Sequence, residues 1–166
     1  MRKRFEVQLK LGETAIENVK IPTKSRDELP PVLLGLQWIF KTKEVHEKIF
    51  DLLEKKVLSG KEKTGRNGMD LWHILVLGIV RLALDCDYDR LEYLVHHDVL
   101  MRQIMGLDIL YKGEFGEGFH QKTIQENLCH LDAELIDEIN QIIVMEGQGL
   151  FKKKRQKSKL KRIHMF

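Results

Sequence analysis

The sequence predicts an all-α fold, a compact multi-helix bundle with a helix-turn-helix-like segment, and three observations carry that prediction. Apolar residues recur at three- and four-residue spacings along most of the chain. Strands never alternate with helices as βαβ units require. A chain of 166 residues, 43% of them apolar, suffices for one buried core and gives no internal repeat.

The elements follow in order. Phe5, Val7, Leu9 and Leu11 alternate with polar neighbours up to Gly12, the pattern of a short strand that residues 16–21 can pair with as an N-terminal β-hairpin. Pro30 and Pro31 suit a first helical turn, so Asp27 or Glu28 opens a helix running to Phe40, anchored by Trp38 and Phe40. Thr42 is the N-cap expected for the next helix, where Val45, Ile49, Leu52, Leu53 and Val57 form one stripe before Gly60. Residues 59–68, with three glycines and three cations over one acid, read as a mobile basic loop.

Asp70 is expected to cap a helix over residues 71–84 that is apolar on nearly every face and therefore central. Gly78 in its middle costs about 1 kcal/mol relative to alanine, tolerable where another helix crosses closely. Tyr88, Leu91, Leu94 and Val95 mark a helix to about His97, and Asp98 caps another ending before Gly106, which makes the helix-turn-helix-like pattern. Residues 107–119 read as a loop. Ile124, Leu128 and Leu131 mark a short helix, and Asp132 caps the last one, which Gly147 and Gly149 are expected to end. Residues 1–150 thus make one domain, and residues 151–166 a basic tail expected to be disordered.

Several chemistries lack their residues. Cys86 and Cys129, 43 positions apart, make neither a disulfide scaffold nor a zinc finger and suit a reducing cytoplasm. The longest apolar run is too short for a bilayer, and the charged start has no apolar segment behind it, so neither membrane insertion nor export is expected. Asp85, Asp87 and Asp89 imitate the opening of a calcium loop, but Arg90 stands where glycine is needed and His96 where a bidentate glutamate is needed, so helix capping is the better reading. His96 and His97, adjacent on a helix, point about 100° apart and read as surface residues. His73 reads as a hydrogen-bonded core or boundary histidine. No catalytic motif, no metal site and no cofactor is predicted.

The cations are distributed unevenly. Eight of the 28 fall in residues 151–166 with no acid, while residues 1–150 hold 20 against 25 acids. The clusters are Arg2, Lys3 and Arg4; Lys61, Lys63 and Arg66; and the run containing Lys152, Lys153, Lys154 and Arg155. Such clusters bind phosphates by releasing counterions, although a solvated tail explains a terminal lysine run equally well. The helix near residue 121 would expose Lys122, Thr123, Gln125 and Asn127, whose side chains suit base edges in a major groove; a merely polar face is the alternative.

The residues become specific at Thr64-Gly65-Arg66-Asn67-Gly68-Met69-Asp70-Leu71-Trp72-His73-Ile74-Leu75-Val76-Leu77-Gly78-Ile79-Val80-Arg81-Leu82, followed by Asp87-Tyr88-Asp89-Arg90-Leu91 and Leu100-Met101-Arg102-Gln103-Ile104-Met105-Gly106. With Arg2-Lys3-Arg4-Phe5, Ser25-Arg26-Asp27-Glu28-Leu29-Pro30 and Gly35-Leu36-Gln37, this ordered series resembles the N-terminal domain of DDE insertion-sequence transposases of the InsH type, over roughly residues 1–150.

The resemblance implies a helical domain that recognises the element's terminal inverted repeats in double-stranded DNA and assists assembly, ahead of a catalytic domain with a metal-binding acidic triad. The acid-free end and Asn67, where the family often has proline, depart from that pattern. The expectation is a truncated, catalytically inert, cytoplasmic DNA-binding module. The alternatives are a protein that pairs with itself or with full-length transposase and inhibits it, and a remnant without function.

Overall fold

A computed structural model describes residues 3–5, 13–58, 68–107 and 118–163, from residue 150 onward as backbone alone. The described residues form seven α-helices and one 3-10 turn, with no strand among them: α1 (Leu29–Lys41), α2 (Lys43–Val57), α3 (Leu71–Ala83), α4 (Tyr88–His97), α5 (Val99–Met105), α6 (Gln121–Leu128) and α7 (Ala133–Ile163). The all-α expectation holds. Residues 6–11 of the expected hairpin lie outside the described residues, and its pairing segment is instead a 3-10 turn at Ile16–Asn18. Ile16 and Val19 bury there, and the Gln37 amide of α1 donates to both the Ile16 and Val19 carbonyls at 2.8 Å, so the turn is held by a side chain and needs no sheet partner.

Helix α3 lies at the centre and touches α1, α2, α4, α5 and α6. From Leu71 to Gly78 every residue is buried, and Leu82 near its end is the large apolar residue that reaches solvent, 51% exposed. An apolar helix gains its stability only when enclosed on all sides. The close approach expected at Gly78 is present, because a Cβ there would collide with the Leu131 side chain, just beyond α6, and meet Leu128 of α6 at 3.8 Å.

Two polar groups on α3 fix its rotation. Trp72 Nε1 donates to the Ile104 carbonyl and His73 Nε2 to the Met105 carbonyl, each at 2.8 Å. Those carbonyls end α5 and have no partner within their own helix, so the two side chains satisfy acceptors whose burial would otherwise cost free energy.

The start of α3 is completed from far away in sequence. Asp70 occupies the N-cap position, but its carboxylate makes no capping bond. The Leu71 and Trp72 N–H groups donate to the Lys3 and Arg4 carbonyls at 2.9 and 3.0 Å. This brings Phe5 against Phe40, Trp72 and His73, with ring centroids 5.5–6.2 Å apart.

Capping elsewhere follows the local rules. Asp87 accepts from the Arg90 N–H at 2.8 Å, Asp98 from Met101 at 2.7 Å and Asp132 from Leu135 at 2.8 Å. Asp98 closes α4 and opens α5, and Gly106 ends α5 in the left-handed region at φ 67°. Thr42 sits between α1 and α2 as expected, yet its hydroxyl caps nothing; its backbone N–H bonds Trp38 and its carbonyl accepts from His46.

Helix α7 packs antiparallel on α2, with Lys48 bonded to Glu146 at 2.6 Å and Lys56 to Glu134 at 2.8 Å. It does not stop at Gly147 and Gly149 but runs to Ile163, so the helical backbone includes most of the segment expected to be a disordered tail. Each glycine costs about 1 kcal/mol in a helix without breaking it, and the surrounding Met, Glu, Gln, Leu and Lys residues are good helix formers.

Burial holds the His73 imidazole below its ordinary value of 6.5, with the bond to Met105 opposing. The unfolded chain takes up that proton near pH 6.5 and the folded chain only at lower pH, so the stability from neutral His73 is complete above this value and lost as pH falls below it. Urea unfolding at about pH 7.5 and pH 5 should show a smaller loss on acidification in His73→Gln than in the native chain. Equal losses would count against this account. Part of the loss should survive the substitution, because His96 is shifted in the same direction.

Candidate functional site

The sequence-predicted cations do not form one surface among the described residues. Arg2, Lys61, Lys63 and Arg66 lie outside the described residues. Lys3 is exposed. Arg4 is engaged within the fold: its guanidinium bonds Glu54 through two nitrogens at 2.6 and 3.0 Å, Glu47 at 2.7 Å and Asp51 at 2.6 Å. These three acids stand on one face of α2 at spacings of four and three residues, so a single guanidinium bridges the whole stripe. That arrangement engages Arg4 within the fold, so any phosphate must compete with three carboxylates.

Helix α6 presents Gln121, Lys122, Thr123, Gln125 and Glu126 to solvent, because Ile124 and Leu128 face inward. Lys122, Thr123 and Gln125 therefore stand together as expected. Asn127 does not join them. It is buried, and its amide donates to the Thr123 carbonyl at 2.7 Å, an arrangement that ties it to its own helix and corrects the expectation that it lies on the exposed face. Lys152, Lys153, Lys154 and Arg155 belong to the helical backbone of α7.

The motif that imitates a calcium loop is a helix junction. Asp85 adopts the left-handed region at φ 44° after α3, Asp87 caps α4, and the Arg81 guanidinium lies over the Tyr88 ring 4.5 Å from its centre. Arg102 is buried and donates to the Val95 carbonyl at 2.7 Å, placing its charge in the last turn of α4, where the helix dipole favours a cation.

A constellation that sequence reading missed joins α4 to α6. Glu92, His96 and His120 each place one donor atom within 4.8 Å of the other two. Glu92 Oε1 lies 3.3 Å from His120 Nδ1 and 3.9 Å from His96 Nε2, while its other oxygen accepts from the Gln121 N–H at 3.0 Å. The His96 ring rests against Gly118, where any Cβ would collide with it. Burial holds this imidazole below its ordinary pKa; the Glu92 charge opposes that shift, while Arg102 and His120 add to it. The spacing of Glu92 and His96 by four residues was visible in the sequence, whereas nothing local signals that His120, beyond the 107–119 segment, returns to them.

Comparison of the chain with family models, curated proteins and solved structures finds no match. No helix among the described residues is long and apolar enough to cross a membrane.

Arg4→Ala should lower the unfolding free energy by about 1–2 kcal/mol at low salt, through loss of the charge network and repulsion among the acids it leaves behind. The difference should shrink toward zero near about 1 M salt, where exposed charges are screened. A salt-independent difference in urea unfolding would assign the effect to packing instead.

Proposed function

We propose that this chain is a DNA-binding module, the N-terminal domain of an insertion-sequence transposase that recognises the element's terminal inverted repeats. The observation that carries the reading is the ordered series of residues resembling the InsH-type domain, spread over α1, α3, α4 and α5. The exposed Lys122, Thr123 and Gln125 supply candidate groove contacts, and Lys152, Lys153, Lys154 and Arg155 supply candidate phosphate contacts. The proposal assigns no catalysis to the chain and requires no cofactor.

Fluorescence anisotropy with duplexes carrying the inverted repeats flanking its gene tests the reading. If about six phosphates are contacted, log affinity falls with log salt at a slope near −5, and a specific site exceeds random duplex by about a thousandfold or more. Replacing Lys152, Lys153, Lys154 and Arg155 by alanine should weaken binding to every duplex alike, whereas Gln125→Ala should erode preference for the repeat by about 1–3 kcal/mol. Equal affinity for the repeat and a random duplex would defeat the proposal.

Exposed apolar groups on α7 favour a second reading, association with a further copy or with full-length transposase: Val144 is 54% and Met145 72% exposed. Under this reading Met145→Lys abolishes a concentration-dependent rise in mass measured by light scattering. A chain that stays monomeric, together with an unchanged transposition rate on mixing with intact transposase, would remove it.

A further inference from the structure

The Glu92, His96 and His120 cluster has the composition of a transition-metal site: two imidazoles and one carboxylate, two of them one helical turn apart on α4 and the third at the N-cap of α6. Donor atoms around a tetrahedral ion with bonds of about 2.1 Å stand about 3.4 Å apart. The observed separations of 3.3 and 3.9 Å from Glu92 Oε1 already lie close to that value.

The surroundings hold the donors in place. The Gln121 N–H bonds the second Glu92 oxygen and leaves the first directed at the histidines, as an outer-shell hydrogen bond does for a ligating carboxylate. Gly118 permits the His96 ring to lie flush against the backbone just before His120. His96 is half-buried on α4, whereas the His120 side chain is 79% exposed and gives an ion its route from solvent.

We propose that Glu92, His96 and His120 bind a divalent transition ion of the zinc class, through one carboxylate oxygen and one ring nitrogen from each histidine. Three protein ligands leave at least one coordination position to water or to a group brought by a partner. Imidazole and carboxylate donors suit zinc, cobalt, nickel and copper, and the absence of thiolate argues against a closed structural zinc site of the finger type. The ion ties the first residue before α6 to the middle of α4, so binding stabilises the folded chain by linkage. This inference stands independently of DNA binding.

The test uses the full chain without a histidine tag, stripped with chelator and titrated with zinc by calorimetry and with cobalt by visible absorption. The expected result is one ion per chain, cobalt bands of tetrahedral or five-coordinate character and a higher Tm with zinc. His120→Ala and Glu92→Gln should each weaken binding by about tenfold or more, and His120→Ala should leave the Tm of the metal-free protein nearly unchanged because that side chain is exposed. His97→Ala, one position along α4, should retain the ion. Absence of binding, or binding that survives both ligand substitutions, would overturn the proposal, as would equal loss in His97→Ala.

Discussion

The organisation of the molecule rests on one constraint, the enclosure of α3. A helix with apolar side chains around its whole circumference has no face to offer water, so the other helices must surround it. Hydrophobic burial alone does not choose a rotation for such a cylinder. Trp72 and His73 make that choice, because their donors must meet the Ile104 and Met105 carbonyls at the end of α5. The least directional force builds the core, and two hydrogen bonds orient it.

A similar economy governs two more buried polar side chains. Gln37 holds the carbonyls of the N-terminal 3-10 turn, and Arg102 reaches the last turn of α4. In each case a side chain enters the interior to donate to a backbone carbonyl near the end of an element. Polarity inside this domain is therefore concentrated where elements end. Arg4 applies a related principle at the surface, joining an N-terminal segment to three acids that would otherwise repel one another along α2.

Much of this architecture is legible in the sequence because its signals are local. Asp87, Asp98 and Asp132 each precede an amphipathic run and each caps the helix that follows, while Gly106 supplies the left-handed residue that closes α5. The misreadings involve distant partners or cumulative propensity. Asp70 looks like a side-chain cap, yet the carbonyls of Lys3 and Arg4 take that task. Gly147 and Gly149 look like stops, but the good helix formers around them outweigh two glycines. Asn127 has a residue type suited to base recognition, but it faces inward and bonds Thr123. His120 meets Glu92 only through the fold. Of the candidate interface, Lys122, Thr123 and Gln125 could be placed correctly because the inward positions of Ile124 and Leu128 determine which face remains outside.

The backbone bonds from Leu71 and Trp72 to Lys3 and Arg4 impose an order on biosynthesis. Lys3 and Arg4 wait for donors translated nearly seventy codons later, while the acids that clasp Arg4 are made in between. When the segment destined for α3 is translated, its acceptors on Lys3 and Arg4 and the α1 and α2 segments already exist, whereas α4, α5 and α6, which complete its enclosure, do not. That interval leaves apolar surface of α3 open to chaperones or to neighbouring chains until the following helices are made.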